Sequence, residues 1–168
     1  MHRIIGMALL LNLCACSQYD FSVNDNVVYT PKPILKESSV SDPALKACLQ
    51  QTFKDKKHTN ISQVTSLRCT HAGIASIAGL GRYFALTELD LSDNAIADVT
   101  PLTRLGKLTL LHLENNQIRD AAPLLSLIKL SDLRIEGNND AGCKDLYQVR
   151  TSVRDNAGSA LLPDHCDQ

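Results

Sequence analysis

Carboxylates, a serine and a histidine lie close together in the middle of the sequence, and these residue types can build a hydrolytic site or a metal site. Glu88, Asp90 and Ser92 alternate along one short stretch, and His112 stands 22 positions after Asp90. In a Ser–His–Asp group the serine attacks a carbonyl while the histidine takes its proton, and both must sit in a pocket that excludes water. Whether these residues can do such chemistry depends on the element that positions them.

The element that positions them repeats with a period of 22 residues. Apolar residues and one asparagine occur twice at that interval, as Leu86, Leu89, Leu91, Asn94 and Ile96 and then as Leu108, Leu111, Leu113, Asn116 and Ile118. Pro101 and Leu102 recur as Pro123 and Leu124, so the period covers the whole unit. Self-similarity at a fixed interval of this length is the signature of stacked repeats.

The repeat extends beyond these two units in both directions. Counting one period back and one forward gives four strand-bearing units, which start at Val64, Leu86, Leu108 and Leu130. The first unit departs from the pattern, since Cys69 occupies a core leucine position and Ala72 replaces the asparagine. Such departures are typical of an end unit that is modified to meet a cap.

An asparagine recurs at one position in three of the units, as Asn94, Asn116 and Asn138. Its amide group both donates and accepts hydrogen bonds, so it can pair with backbone groups of adjacent coils that no regular strand ladder satisfies. Because the coils stack, we predict that these three side chains form a structural ladder.

Each Leu-x-Leu core is predicted to be a half-buried strand whose alternate side chains point outward onto an open sheet. The outward columns are Ser66, Glu88, Leu110 and Asp132; Arg68, Asp90, His112 and Arg134; and Thr70, Ser92, Glu114 and Glu136. Adjacent strands lie about 4.8 Å apart, so Arg134 is expected to contact Glu114 or Glu136. Asp90 is expected to contact His112.

An open sheet of short strands offers no pocket that excludes water, so we predict no catalytic group, no metal and no cofactor. Leu110 is the one apolar residue that the pattern exposes on this face, and it is either a hot-spot contact or a neutral surface leucine. The residues predicted to bind a protein partner are Arg68, Glu88, Asp90, Leu110, His112, Glu114, Asp132, Arg134 and Glu136.

Composition and charge exclude other classes of partner. The chain has 17 basic and 18 acidic residues and a formal net charge of -1, which supplies no field to attract nucleic acid or to hold an anionic membrane. Only 4% of the residues are aromatic and none is Trp. The exposed aromatic rings that stack on sugars are therefore not expected, and a carbohydrate-binding role is disfavoured.

The first residues predict secretion. An apolar run from residue 4 to residue 13 follows Arg3, and it is too short to span a bilayer. Leu13, Cys14, Ala15 and Cys16 resemble the lipobox of bacterial lipoproteins, which implies a signal peptide over residues 1–15 and lipidation of Cys16. In Gram-negative lipoproteins, Ser17 after the cysteine implies sorting to the outer membrane. The alternative is an ordinary cleaved signal with a stray cysteine.

Residues 16–41 are polar, are interrupted by Pro31 and Pro33, and predict a lipid anchor followed by a flexible tether. Within it, residues 27–29 are a candidate edge strand or partner-binding motif. Residues 42–60 predict a helix that caps the first repeat, with Ser41 or Asp42 as N-cap and Pro43 at the first helical position.

Residues 141–168 follow the repeats and predict a C-terminal cap. Its two cysteines are Cys143 and Cys166, and the other two outside the signal are Cys48 and Cys69. Four cysteines allow three pairings. Proximity along a linear stack favours Cys48 with Cys69 and Cys143 with Cys166, because each pair lies at one end of the array. Free thiols would require a cytosolic protein, which the signal contradicts.

Residues 61–140 resemble the leucine-rich repeat family, specifically the 22-residue subfamily of phosphatase regulatory subunits and internalin-type bacterial surface proteins. The resemblance implies an α/β repeat fold. This fold is a short right-handed solenoid with a parallel sheet on its concave face, a helical N-terminal cap and a small C-terminal cap. It also implies a role in holding a protein ligand.

Together these observations predict a non-enzymatic lipoprotein of the bacterial cell envelope that binds an unidentified protein through its concave face. One alternative is a structural or accessory lipoprotein of an envelope or secretion complex that docks through its tether or caps. Another alternative, a carbohydrate-binding or hydrolytic envelope protein, is disfavoured by the lack of a pocket.

Overall fold

The structure is a computed structural model that describes residues 21–23, 26–29 and 40–167. The chain divides into two compact units, residues 1–33 and residues 34–168. The predicted signal peptide and the lipidated Cys16 lie outside the described residues. In the part of the chain that is described, no helix is both long and apolar enough to cross a membrane.

The first unit contains a two-stranded antiparallel sheet formed by β1 (Phe21–Val23) and β2 (Asn26–Tyr29). The sequence predicted a tether here, with residues 27–29 as a candidate edge strand. Aromatic and β-branched residues at Phe21, Val23, Val27 and Tyr29 favour extended backbone. The pairing register shifts between Phe21 and Ser22.

The second unit begins with α1 (Pro43–Asp55), which covers one end of the repeat core. Asp42 is its N-cap and Pro43 lies in its first turn, as the sequence predicted. Leu45, Leu49 and Phe53 recur on one face and are buried against the first coil. The helix therefore closes an end at which the leucine core would otherwise meet water.

A five-stranded parallel sheet follows, in the order β3 (Ser66–Arg68), β4 (Glu88–Asp90), β5 (Leu110–His112), β6 (Asp132–Arg134) and β7 (Ser159–Leu161). The sequence predicted four strands, so β7 is a correction. Strand β7 comes after α2 (Cys143–Asp155). Its Ser159 and Ala160 pair with Asp132 and Leu133 of β6, so β7 has an alanine where each repeat has a leucine. Neither the period nor the leucine pattern marks it.

Short 3-10 turns return the chain between strands, at Leu80–Arg82, Thr100–Arg104 and Ala122–Ser126. Each begins with the same tight backbone hydrogen bond, for example Leu102 N to Val99 O and Leu124 N to Ala121 O, both 3.0 Å. Pro101 and Pro123 suit the start of such a turn because they lack a donor there. The turns bury Leu80, Leu102 and Leu124 against the leucines of the sheet.

Two disulfides close the ends of this unit, and both pairings are those favoured by proximity. Cys48 joins Cys69, which links α1 to the first coil, and Cys143 joins Cys166, which links the start of α2 to the last turn. Each closes a loop of just over twenty residues, worth about 3 kcal/mol in the chain-entropy model. The cap helix α2 buries Leu146, Val149 and Val153 against the last coils.

A second ladder of hydrogen bonds, here called the hydroxyl ladder, connects adjacent coils at the N-terminal ends of the strands. It was not predicted from the sequence. The hydroxyls of Thr87, Thr109 and Ser131 donate to the backbone carbonyls of Thr65, Thr87 and Thr109, at 3.1, 3.1 and 3.2 Å. The backbone N–H of each hydroxyl-bearing residue donates to the same oxygen. The available signal was the recurrence of Thr or Ser every 22 residues.

Candidate protein-binding site on the concave face

The register of the parallel strands places the first two predicted outward columns as expected. Ser66, Glu88, Leu110 and Asp132 are direct neighbours, and so are Arg68, Asp90, His112 and Arg134. Strand β7 extends these columns with Ser159 and Leu161. The leucines between them, such as Leu89 and Leu111, are fully buried.

Two contacts predicted within these columns are wrong. Asp90 pairs with Arg68, with Oδ2 3.3 Å from Nε, whereas His112 lies nearer Asp132, with Nε2 3.7 Å from Oδ1. The Nε of Arg134 also lies near Asp132, 3.9 Å from Oδ1, and Arg134 forms no ion pair with Glu114 or Glu136. Asp132 belongs to the adjacent column, and its carboxylate lies within reach of both neighbours. One carboxylate therefore sits between a histidine and an arginine.

Ser92 is held by two carboxylates and not by the histidine. Its Oγ lies 2.8 Å from Asp90 Oδ1 and 2.6 Å from Glu114 Oε2. A hydroxyl has one proton to donate, so it can satisfy only one of these oxygens at a time. His112 lies instead against Asp132. The arrangement of a nucleophile beside its base is therefore not formed by these residues.

Two buried polar atoms of this face have no hydrogen-bond partner among the described residues, namely Nε2 of His112 and Oε2 of Glu136. The His112 side chain is 16% exposed, although it belongs to a column that faces outward. Buried polar atoms in folded proteins nearly always have a partner, because an unpaired one keeps its full desolvation penalty. Neither atom reaches the surface, and the nearest charged group to His112 Nε2 is Asp132 Oδ1 at 3.7 Å.

Apolar surface on this face lies chiefly at its C-terminal end. Leu161 is 45% exposed at the end of the column that contains His112 and Arg134. Leu110 is partly buried, and Leu161 is exposed on the same face. The prediction that Leu110 is the one exposed apolar residue of this face is therefore wrong. Both Leu161 and Leu162 lie in the predicted cap, residues 141–168, but the structure buries Leu162 and exposes Leu161 on the sheet.

The asparagine ladder holds the coils beneath this face in register. The Nδ2 of Asn116 donates to the carbonyls of Leu91 and Leu113 at 3.0 Å, and its Oδ1 accepts from Ile96 N at 3.0 Å. Asn94 and Asn138 make the equivalent bonds one coil away on either side. Each side chain thus bridges its own coil and the preceding one.

Among the described residues, one cluster has the spacing of a metal site, and it lies in the C-terminal cap. Cys143, His165 and Cys166 place their ligand atoms within 4.8 Å of one another. The two sulfurs are joined in a disulfide, so neither is a thiolate that could bind a metal. The His165 Nε2 lies 2.9 Å from the carbonyl oxygen of Ala141. The cluster is therefore a structural one.

Comparison with known proteins agrees with this architecture. The family model described as leucine-rich repeats in two copies matches residues 84–126. The fold is thus a short leucine-rich repeat solenoid with a cap at each end. No curated protein sequence matches the chain.

Two solved structures from Listeria monocytogenes are similar. An internalin, inlF, shares 28% identity over 64% of this chain and 33% of that one, with a TM-score of 0.56. Internalin C2, inlC2, shares 23% identity over 79% of this chain and 57% of that one, with a TM-score of 0.61, which supports the fold alone. The chain therefore spans between a third and somewhat over half of these relatives.

Proposed function

We propose that this protein is a non-enzymatic lipoprotein of the bacterial cell envelope that binds another protein through the concave face of its solenoid. The observation that carries the proposal is the register of the parallel sheet, which gathers charged side chains into adjacent outward columns with the exposed Leu161 at their end. A bound protein would meet these charges and this leucine on one continuous surface.

The charges of the face favour a partner with a positively charged surface. Five carboxylates and two arginines project from it: Glu88, Asp90, Glu114, Asp132 and Glu136, with Arg68 and Arg134. Both arginines are already paired with carboxylates of the same face. Complementary charge steers association and selects among partners. Leu161 adds an exposed apolar contact beside this acidic region.

Two disulfides support a location outside the reducing cytoplasm. The lipid anchor on Cys16 and sorting to the outer membrane are the remaining parts of the proposal, and they depend on the resemblance of residues 13–16 to a lipobox.

The anchor is tested by labelling cells with radioactive palmitate. We expect the wild-type chain and a Cys14→Ser variant to be labelled, and a Cys16→Ser variant to lose the label and remain in the precursor form. The two cysteines are two positions apart, so the Cys14→Ser variant is a matched control. Undiminished labelling of Cys16→Ser would exclude this cysteine as the lipid site.

The concave face is tested by combining Glu88→Ala, Leu110→Ser and His112→Ala. A hot-spot contribution of about 2 kcal/mol would weaken capture of the envelope partner about 30-fold. The matched control combines Tyr147→Ala, Gln148→Ala and Asp155→Ala, which are exposed on α2 and also remove one negative charge. Equal capture by the wild type and the concave variant would contradict the proposal and would favour docking through the tether or caps.

A further inference from the structure

The rim at which the strands begin carries positive charge and no negative charge. This basic rim consists of residues 79–87, 101–109 and 123–131, and none of them is Asp or Glu. Its cationic residues are all exposed: Arg82, Arg104, Lys107 and Lys129. None of the four takes part in an ion pair among the described residues. Although the formal net charge of the whole chain is -1, positive charge is therefore concentrated at this rim.

Large apolar side chains are exposed among these cations. Phe84 is 53% exposed and Ile128, two coils further on, is 71% exposed, with Gly106 between them in the repeat register. Leu125 is 37% exposed on the adjoining turn. The solenoid core needs none of these side chains. Exposed apolar groups rimmed by charges mark surfaces that meet a partner or a membrane.

The hydroxyl ladder holds this rim together. Backbone and hydroxyl hydrogen bonds connect Thr65, Thr87, Thr109 and Ser131 in adjacent coils. Residues that are 22 positions apart are therefore neighbours at this edge, about 4.8 Å apart where the strands begin. Arg82 and Arg104 are such a pair, and so are Lys107 and Lys129. The cations therefore form two pairs that bridge adjacent coils.

A shallow cavity of about 250 Å³ lies at this rim between two coils. It is lined by Ala78, Gly79, Gly81, Arg82, Pro101 and Arg104. A Cβ at Gly81 would lie 2.8 Å from the carbonyl oxygen of Pro101, so the glycine permits the close approach of the coils that shapes the cavity. Its lining is mostly apolar, and the aliphatic part of Arg104 packs beside Gly81.

We propose that the basic rim lies against an anionic phospholipid membrane. The cations attract the anionic headgroups, and Phe84 and Ile128 enter the interfacial region of the bilayer. An acidic protein segment would use the same cations. However, it has no comparable use for an aromatic and an aliphatic side chain that stand apart on an edge with no groove. The proposal does not depend on a partner at the concave face.

The test measures binding of the mature chain, residues 16–168 with Cys16→Ser so that neither the signal peptide nor a lipid is present, to two kinds of vesicle. One is phosphatidylcholine alone, and the other contains one third phosphatidylglycerol. The rim variant adds Arg82→Gln, Arg104→Gln, Lys107→Gln and Lys129→Gln. The control variant makes the same change in charge elsewhere, through Lys46→Gln, Lys54→Gln, Lys56→Gln and Lys144→Gln, which are also exposed.

Each basic residue near an anionic surface raises partitioning about fivefold, so losing four should weaken binding to phosphatidylglycerol vesicles roughly 600-fold. The control variant should bind as the parent does. In a second variant, Phe84→Ser with Ile128→Ser should remove the part of the binding that survives 0.5 M salt. Equal loss in the rim and control variants would overturn the proposal, as would equal binding of the parent to both kinds of vesicle. Preference of the rim for soluble polyglutamate over the anionic vesicles would show that an acidic protein is its partner and would also overturn it.

Discussion

Replacing Asn116 by Ala should lower the free energy of unfolding by about 3 to 6 kcal/mol, because the change strips hydrogen bonds from several buried backbone groups at once. Asn116 is 8% exposed. Its loss leaves Ile96 N without an acceptor and the carbonyls of Leu91 and Leu113 without this donor. The midpoint of urea unfolding, monitored by far-UV circular dichroism under oxidising conditions, measures the effect.

The neighbouring substitution Gln117→Ala is the matched control, because Gln117 is exposed. It should change stability by less than about 0.5 kcal/mol. Asn116→Asp is a sharper test, since the carboxylate keeps the acceptor for Ile96 N but places a second acceptor against carbonyl oxygens. This variant should therefore be strongly destabilised at pH 7 and should regain stability as the pH falls and the new carboxyl is protonated. An Asn116→Ala protein as stable as Gln117→Ala would contradict the role of the ladder.

Replacing Asp42 by Ala should lower the free energy of unfolding by about 3 kcal/mol, because four backbone donors lose a charged acceptor. Oδ1 of Asp42 accepts from Ala44 N at 2.9 Å and from Leu45 N at 3.0 Å, which caps α1. Oδ2 accepts from Ala75 N and Ser76 N, both at 3.0 Å, in the coil that α1 covers. This one carboxylate therefore both starts the cap helix and fastens it to the first repeat.

The contribution of Asp42 should depend on pH in a direction that its environment determines. Burial favours the neutral acid, but the four backbone N–H donors outweigh it and hold the pKa of Asp42 below its ordinary value. A lowered pKa gives stability that is fully present above the unfolded value of about 3.9 and is lost as the pH falls through the folded value. The difference between wild type and Asp42→Ala should thus be constant from pH 5 to 7 and shrink below about pH 4.

Ser41→Ala is the control for Asp42, because Ser41 is the other residue that the sequence offered as N-cap and its side chain is exposed. It should leave the unfolding midpoint nearly unchanged at every pH. Equal destabilisation by the two substitutions would contradict the assignment of the cap to Asp42, and so would a difference between Asp42→Ala and wild type that grows in acid.

The repeat core was predictable because it depends on spacing, and spacing is visible in a sequence. Leu89 and Leu111 are a period apart, and parallel pairing with one register follows once each period forms one coil. Strand β7 could not be predicted from the spacing because a helix is inserted before it. Asp132 therefore pairs with Ser159, 27 residues later and not 22. Gly158 was equally invisible, although a side chain there would collide with the backbone of Ser131.

The candidate site was predictable as a set of positions but not as a set of contacts. Alternation along the strands determines that Asp90, His112 and Asp132 face outward, whatever the side chains then do. Which carboxylate His112 and Arg134 approach depends on side-chain rotamers and on small differences in strand position. The pairing of Arg68 with Asp90 shows the same limit, since a long flexible side chain reaches several partners with nearly equal energy.

The most direct test of the concave face uses a photo-reactive amino acid placed at one position at a time in the native host. Leu110, Glu88 and Leu161 are the positions on the face, and Gln148 on α2 is the control. We predict one shared protein adduct from the three concave positions, identified by mass spectrometry, and no such adduct from Gln148. An adduct that forms from Gln148 and from none of the concave positions would show that the cap, and not the sheet, binds the partner.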